Sequence, residues 1–345
     1  MRPDDSDDMH PGKLPPDLFR SLLSRFTPGD SSVVLGPGIG RDAAAIDLGG
    51  PSLLVAAADP VTFTGDLIGW YAVHVNANDV ACLGARPHWF LATLLLPEGC
   101  DEGLPGLILD QVLQACRSLD VELIGGHTEI TLGLTRPIIA GTMLGDVQRE
   151  RLVTPQGARP GDALLLTRGI AIEGTAVLAR EAAPKLPALG VAREAVDRAR
   201  EYIVEPGISV VADALTACEA VSVHAMHDPT EGGLATALYE MAEASGTGII
   251  VDARRINVLP ETRIICDAAG INPLGLLASG ALLIAVDESD AERALSALGP
   301  ARASAERIGM LVSAEHGVIM VDDNGRRPVP QFARDEVARF LAEHR

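Results

Sequence analysis

The chain has 345 residues, enough for about two domains, and its composition of 47% hydrophobic and 22% charged residues excludes a wholly disordered protein. Its formal net charge of −19 argues against nucleic acid as the main partner, because an acidic surface repels phosphate backbones. We find no apolar run of about 18 residues that would predict a membrane span, no secretory signal in the acidic residues 1–8, and no C-x-x-C pair among the five cysteines. We therefore expect a cytoplasmic protein with reduced thiols and no membrane partner.

The first half of the chain alternates short strands and helices after a flexible segment at residues 1–16. Apolar runs predict strands over residues 33–35, 43–48, 52–58, 88–96, 121–124 and 137–144. The spacing of apolar residues predicts helices from residue 17, over residues 66–83 and over residues 104–119. A Pro-Gly turn at residues 160–161 precedes a new start of the pattern, so we place an N-terminal domain at residues 17–158.

The second half, residues 159–345, repeats the mixture of strands and helices. We predict strands over residues 163–167, 223–226, 248–251 and 276–286, and two further short strands before a C-terminal helix at residues 331–343. The other predicted helices cover residues 173–180, 208–219, 231–244, 261–269 and 290–298. The pattern predicts a mixed α+β protein of two domains without a short-period repeat.

Three isolated aspartates lie beside apolar elements in the first half. Asp42 ends a glycine-rich loop, Asp59 follows a predicted strand, and Asp79 lies next to Asn78 in the helix over residues 66–83. A carboxylate in such a place needs a hydrogen-bond partner or a cation, and carboxylates without thiols suit Mg²⁺. Turn caps, a solvated helix face and a buried polar seam are the alternatives that the spacing leaves open.

Two glycine clusters follow predicted strands. The motif Gly-Gly-His-Thr-Glu at residues 125–129 contains paired glycines, which let a backbone approach a ligand closely. The motif Asp-Pro-Thr-Glu-Gly-Gly-Leu at residues 228–234 offers Thr230 as the N-cap of the next helix and glycine N–H groups that are free to bind an anion. Simple turns are the alternative for both clusters.

Five motifs in this order resemble the aminoimidazole ribonucleotide synthetase (PurM-like) superfamily, over about residues 36–280. Residues 40–44 resemble its Gly-Asp-Asp-x-Ala loop, Asp59 with Phe63 its D-x-x-x-F segment, and residues 78–87 its N-D-x-x-x-x-G-A-x-P helix. The two glycine clusters resemble its G-G-[DE]-T and D-x-T-x-G-G-L motifs. Residues 277–283 are most similar to the AIR synthase-related proteins close to the hydrogenase maturation protein HypE branch.

The resemblance implies a two-domain architecture in which the N-terminal sheet domain forms a homodimer with ATP bound across it. It implies Mg²⁺ held by Asp42, Asp59 and Asp79, and it suggests Asp42, Asp79 and His127 as catalytic residues. The cofactor-binding residues expected from the motifs are Gly38, Gly40, Asn78, Gly125, Gly126, Thr128, Asp228, Thr230, Gly232 and Gly233.

Two residues depart from the family motifs, because Arg41 replaces an aspartate and His127 replaces an acid. Hydrogenase maturation members end in Pro-Arg-Ile-Cys, whereas this sequence ends in Ala-Glu-His-Arg, so we do not expect their terminal-cysteine chemistry. The leading hypothesis is an Mg²⁺-dependent ATP-binding enzyme that activates a small amide, acid or alcohol by phosphorylation. The alternatives are a nucleotide-binding accessory protein that acts through a protein partner, and a phosphotransferase similar to thiamine-monophosphate kinase.

Overall fold

The computed structural model describes residues 14, 16–26, 29–62, 64–299 and 304–344. Phe63 and most of the segment predicted to be flexible, residues 1–16, lie outside the described residues. Within the described ranges no helix is both long and apolar enough to cross a membrane.

The described residues form ten α-helices and fourteen strands. The helices are α1 (Pro16–Leu23), α2 (Ile68–Cys82), α3 (Leu104–Leu119), α4 (Ile172–Glu181), α5 (Arg193–Glu201), α6 (Val211–Ala220), α7 (Gly233–Ser245), α8 (Pro260–Ala269), α9 (Ala291–Leu298) and α10 (Glu336–Glu343). The strands are β1 (Val33–Leu35), β2 (Ala43–Asp47), β3 (Ser52–Ala57), β4 (Pro60–Val61), β5 (Arg86–Pro97), β6 (Glu122–Thr131), β7 (Ile138–Gln148), β8 (Ala163–Leu166), β9 (Val223–His227), β10 (Thr247–Asp252), β11 (Leu283–Val286), β12 (Glu306–Ser313), β13 (Val318–Asp322) and β14 (Gly325–Pro328).

Each half of the chain builds its own sheet. The first sheet has the order β1-β2-β3-β7-β5-β6, with β4 paired to β7, and its neighbours are antiparallel except for the parallel pair β5 and β6. Side chains of β3 and β7 alternate between buried and partly exposed, as expected for a sheet that buries one face more deeply than the other. The second sheet has the order β14-β13-β10-β12-β8-β11-β9, and its strands β8 and β11 are buried on both faces. The predicted mixed α+β class is confirmed.

The glycine cluster at residues 125–129 lies inside a strand, which corrects the predicted strand end at residue 124 and the alternative of a simple turn. Strand β6 continues to Thr131, and Gly126 lies opposite Ala92 of β5. A Cβ atom on Gly126 would lie 1.9 Å from the Ala92 carbonyl oxygen, and the φ of Gly126 is +148°. The glycine therefore permits a close approach between two strands.

Other boundaries also differ from the sequence prediction. Only Leu283–Val286 of the apolar run at residues 276–286 is a strand, because the earlier residues form a buried loop, and an apolar run cannot separate these two cases. Helix α5 was not predicted, because its sequence is rich in charged residues and only one face is buried.

Helix α2 lies buried between the two halves. Thirteen of its 15 residues are buried, and the Asn78 side chain makes hydrogen bonds to the second half through both of its polar atoms. Its amide nitrogen donates to the Ile208 carbonyl at 2.8 Å, and its oxygen accepts from the Val210 N–H at 2.8 Å. The indole N–H of Trp70, near the start of the same helix, donates to the Ile203 carbonyl at 3.3 Å. The buried polar seam is thus a bridge between the halves.

Replacing Asn78 with alanine should destabilise the protein by about 2–6 kcal/mol, because two buried backbone groups lose their partner at about 1–3 kcal/mol each. The change in the free energy of unfolding can be measured from urea unfolding curves. Asn324→Ala, in the exposed turn between β13 and β14, is the matched control and should change it by less than about 0.5 kcal/mol. A loss for Asn78→Ala as small as that of the control would contradict the bridging role.

Candidate functional site

Three titratable side chains meet where the two halves touch. Asp42 comes from the loop before β2, and His227 and Asp228 come from the end of β9. The His227 Nδ1 atom lies 3.4 Å from Asp42 Oδ2, and one ligand atom from each of the three residues lies within 4.8 Å of the other two. His227 and Asp228 are buried, while the Asp42 side chain is 35% exposed, so the cluster opens to solvent on the Asp42 side.

The His227 imidazole is held between two carboxylates. Its Nε2 atom lies 2.9 Å from Glu240 Oε2 on α7, on the side opposite Asp42. Burial by itself would lower the pKa of His227, but the hydrogen bonds and charges of Asp42 and Glu240 outweigh burial and raise it to about 10. Without a bound cation, His227 therefore carries a positive charge at neutral pH.

Asp79 and Cys82, one turn apart on α2, extend the acidic cluster. The Cys82 thiol donates to Asp228 Oδ1 at 3.4 Å, and burial followed by the charges of Asp228, Asp79 and Asp42 raises the pKa of the thiol well above its usual value. Burial and the charge of Asp42 likewise raise the pKa of Asp228. The thiol stays protonated and serves as a hydrogen-bond donor to the acid.

The cluster suits a cation. Asp228 Oδ2 is buried without a hydrogen-bond partner among the described residues, and a buried carboxylate oxygen in that state is stabilised by a positive ion. The acids oppose each other's ionisation, which a divalent ion would reverse. Asp42 and Asp228, one from each half, are the carboxylates best placed to hold such an ion.

Asp59 lies near this cluster along the sheet but is not one of the three residues that converge. Ala43 pairs with Ala57, so Asp42 and Asp59 flank the same end of the β2–β3 ladder. The buried Asn76 of α2 fixes the backbone of Asp59, accepting from its N–H at 2.8 Å and donating to its carbonyl at 3.1 Å. The predicted set of Asp42, Asp59 and Asp79 as metal ligands stays a prediction, whereas the structure brings Asp42 together with His227 and Asp228.

The loop before Asp42 is held by Arg41. The Arg41 guanidinium donates to the Gly36 carbonyl at 3.2 Å. It also donates to the side-chain oxygen of Gln156 when the Gln156 amide is oriented with that oxygen towards Arg41. The side chain folds back over Gly38, and Gly40 packs against the main chain of α7. The arginine that replaces the family's aspartate thus ties the loop down, and cofactor contact by Gly38 and Gly40 stays a prediction.

The residues of the 125–129 cluster lie far from these acids in one chain. His127 is exposed on β6, with Nε2 3.4 Å from Glu129 Oε2. β6 is four strands from β2, or about 19 Å at about 4.8 Å per strand. An open groove of about 600 Å³ lies between α3 and β6, and Gly125, Gly126, His127 and Thr128 line it. The catalytic role predicted for His127 therefore requires a ligand or a second chain that reaches this edge.

The loop at residues 228–233 differs from its prediction in two respects. Thr230 is not the N-cap of α7, because the helix begins at Gly233 and its N-cap is Gly232 in the left-handed region. The glycine N–H groups are not free, since Gly232 donates to Asp335 Oδ2 at 2.8 Å and Gly233 donates to the Thr230 carbonyl at 3.0 Å. Asp335, from the segment before α10, occupies the place expected for an anion.

Asp335 was not predicted as a residue of this region, because nothing in the sequence relates it to Gly232 across about a hundred residues. Burial raises the pKa of the Asp335 carboxyl to about 7, although the N–H groups of Gly232 and Val337 favour its charged form. Glu240 was also missed, since nothing in the sequence distinguishes it from Glu243, the other acid on α7. His227 had a signal, because it directly precedes Asp228 in the motif.

A second buried polar pair, Glu173 and Ser279, lies beside the same loop. Burial raises the pKa of Glu173 to about 7, and the charges of Asp335, Glu231 and Asp228 add to the shift. The Ser279 hydroxyl lies close enough to favour the charged form of Glu173. No hydrogen bond joins the two side chains, however, and Glu173 Oε2 and Ser279 Oγ lack partners among the described residues. Four carboxyl groups thus lie in or beside the loop at residues 228–233, namely those of Asp228, Glu231, Asp335 and Glu173.

Comparison with known proteins identifies the class. Residues 40–147 match the model of the AIR synthase related protein N-terminal domain, and residues 159–322 match the model of its C-terminal domain. The chain belongs to the AIR synthase-related protein family, in the PurM-like superfamily near HypE.

Individual relatives place the chain more closely. It is 31% identical to the carbamoyl dehydratase HypE of Cupriavidus necator over 87% of this chain and 86% of the relative. A crystal structure of the hydrogenase maturation protein HypE in complex with ATP matches with a TM-score of 0.66 and 27% identity, covering 93% of this chain and 96% of the other. A HypE–HypF complex matches with a TM-score of 0.74 and 23% identity, covering 91% and 99%. Thiamine-monophosphate kinase structures also match, at 19% identity and a TM-score of 0.71 in one case, which shows the fold alone.

Replacing Glu173 with glutamine should stabilise the protein more at high pH than at low pH. The pKa of Glu173 is raised from 4.5 to about 7 in the folded state, so the folded state loses stability as the pH rises through that window. The full effect is about 3 kcal/mol at about 1.4 kcal/mol per pH unit.

Urea unfolding from pH 5.5 to pH 8.5 stays above the sequence pI of about 4.7. Over that range, the difference in unfolding free energy between Glu173→Gln and the native chain should rise by about 2 kcal/mol. A difference that does not change with pH would contradict the burial of an ionisable Glu173.

Proposed function

We propose that the chain is an Mg²⁺-dependent, ATP-dependent enzyme similar to HypE that phosphorylates a small acceptor. The observation that carries the proposal is the convergence of Asp42 from the first half with Asp228 from the second, beside the buried Asp79. The relatives support it, because one is named a carbamoyl dehydratase and a HypE structure contains ATP. Both relatives cover most of this chain.

A metal ion would balance the charge on the transferred phosphate in this proposal. Lys185 is the single lysine among the described residues, and the Arg41 guanidinium already donates to Gly36 and Gln156. Asp42 and Asp228, with Asp59 and Asp79 as the further predicted ligands, would hold Mg²⁺, which stabilises negative charge on a phosphoryl group. Because Asp42 and Asp228 come from different halves of the chain, they would keep the ion next to both halves.

The acceptor favoured by this site is uncharged. Four carboxyl groups lie in or beside the loop at residues 228–233, on Asp228, Glu231, Asp335 and Glu173. After burial, the charges of the other three help to raise the pKa of Glu173, and the charge of Glu231 helps to raise that of Asp335. A carboxylate or phosphate ester would add negative charge to this region. Of the acceptors predicted from the sequence, an amide or alcohol fits better than an acid, and a phosphorylated metabolite such as thiamine monophosphate fits less well.

Asp42→Asn should abolish the stabilisation by Mg²⁺ and ATP, because it removes an ion ligand. In a thermal-shift titration the native chain at about 100 times the Kd of ATP should gain about 2.7 kcal/mol, and the gain should need Mg²⁺. Asp47→Asn is the matched control, since Asp47 lies at the other end of β2 in an ion pair with Arg149 and should leave the gain unchanged. An ATP gain that persists in Asp42→Asn would contradict the proposal.

We also propose that the chain forms a homodimer through β6. Among the described residues this strand pairs with β5 alone and is the edge of its sheet, and its exposed residues include Ile124 and Ile130, with Leu132 directly after it. A long apolar edge is covered in most proteins, because otherwise it promotes association. A second chain at this edge would also bring His127 and Thr128 next to another copy's residues, as ATP bound across a dimer requires.

Ile130→Asp should convert the dimer to a monomer, because a charge would be buried at the edge without a partner. Light scattering coupled to size exclusion measures the mass of both forms. Leu48→Asp, at an equally exposed apolar position in the β2–β3 turn, is the control and should remain dimeric. A native chain that is monomeric, or an Ile130→Asp chain that stays dimeric, would contradict the proposed interface.

A protein partner is the second candidate function. The solved HypE–HypF complex supports it, since that relative assembles with another protein. In this case nucleotide binding would regulate docking, and the Asp42 cluster would bind ATP without acceptor turnover. Phosphate release without any partner protein separates the two candidates.

A further inference from the structure

The imidazole of His227 gives the Asp42 cluster a nitrogen atom that the carboxylate set predicted from the sequence lacks. Its Nδ1 atom lies 3.4 Å from Asp42 Oδ2, and the buried Asp228 completes a group within 4.8 Å. Two ligand atoms that are each about 2.1 Å from one ion lie about 3.0–3.4 Å apart in octahedral or tetrahedral geometry. Small side-chain movements would therefore let one ion bind all three residues.

Two observations around the cluster point to a ligand independently of its acidity. Asp228 is 1% exposed, and its Oδ2 atom has no hydrogen-bond partner among the described residues. The other imidazole nitrogen of His227, Nε2, lies 2.9 Å from Glu240 Oε2. A carboxylate that accepts the outer N–H of a histidine is the usual partner of a metal-binding imidazole, because it fixes the ring and makes the inner nitrogen more basic.

We infer that Asp42, His227 and Asp228 form a mixed nitrogen and oxygen site for a divalent transition-metal ion such as Mn²⁺, with Glu240 as the residue that orients the imidazole. Mg²⁺ takes oxygen ligands almost exclusively, whereas imidazole nitrogen favours transition-metal ions. In this geometry the ion would lie between His227 Nδ1 and Asp42 Oδ2, in place of their direct contact at 3.4 Å. The inference rests on the proposed function for the role of the ion, and it makes Mg²⁺ the more weakly bound of the two ions at Asp42 and Asp228. Binding of the ion itself needs no nucleotide.

The test is Mn²⁺ binding to the full chain without nucleotide. Binding is measured as the loss of the electron paramagnetic resonance signal of free Mn²⁺. Competition with Mg²⁺ gives the selectivity, and pulsed measurement on the bound ion detects coupling to the ¹⁴N of an imidazole ligand. The native chain should bind Mn²⁺ at least tenfold more tightly than Mg²⁺ and should show the ¹⁴N coupling. His227→Gln should lose the coupling and at least tenfold in Mn²⁺ affinity, with a smaller loss for Mg²⁺.

Two further variants separate a ligand from a structural residue. Glu240→Gln should keep the ¹⁴N coupling and lose about tenfold in Mn²⁺ affinity, as expected for a residue that orients a ligand. His88→Gln is the matched control, because His88 pairs with Asp146 at 2.7 Å but the pair lies outside the three-residue group, and it should bind Mn²⁺ like the native chain.

The inference is overturned if Mn²⁺ bound to the native chain shows no ¹⁴N coupling. This measurement needs only the native chain, so it decides the question even if His227→Gln does not fold. It is also overturned if folded His227→Gln keeps the coupling, or loses Mn²⁺ and Mg²⁺ affinity equally. A chain that gains stability from ATP and Mg²⁺ but shows no coupling rejects the metal inference alone. A chain with the coupling but without any gain from ATP rejects the proposed function alone.

Discussion

The burial of helix α2 between the two halves is the constraint on which the rest of the structure depends. A buried amide must keep its hydrogen bonds, and α2 satisfies its amides with main-chain groups from both sides. Asn76 fixes the backbone of Asp59 in the first half, and Asn78 fixes residues 208–210 in the second. The halves are thereby held in one arrangement, and Cys82 at the end of the same helix reaches Asp228.

This arrangement assembles the site from parts that are inert separately. Asp42 is an ordinary loop acid until β9 brings His227 and Asp228 beside it. Burial and the charge of Asp42 then oppose the ionisation of Asp228 and raise its pKa. Sites that bind cations commonly carry such a local cost, which the ion offsets when it binds.

In the second half, a residue of the C-terminal segment contacts the loop at residues 228–233. The C-terminal segment places Asp335 on the N–H of Gly232, where an approaching anion would otherwise have met the start of α7. The glycines at this point serve the turn and the close approach of residues 274–276 rather than an open anion site. Under the proposed function, recognition of a ligand near the loop therefore depends on carboxyl groups and an ion, in keeping with the acidic charge of the whole chain.

The sequence by itself determined the class of fold and the family. Hydrophobic spacing located most helices and strands, because it reports which face of an element is buried, and motif order identified the family. Tertiary structure decided what the spacing could not encode. The Gly-Gly pair proved to be a contact between β5 and β6, the glycines after Thr230 donate within the chain, and Asn78 joins the halves. His227, Glu240 and Asp335 joined their sites across long stretches of sequence, because only folding decides which distant side chains share a buried, low-dielectric space.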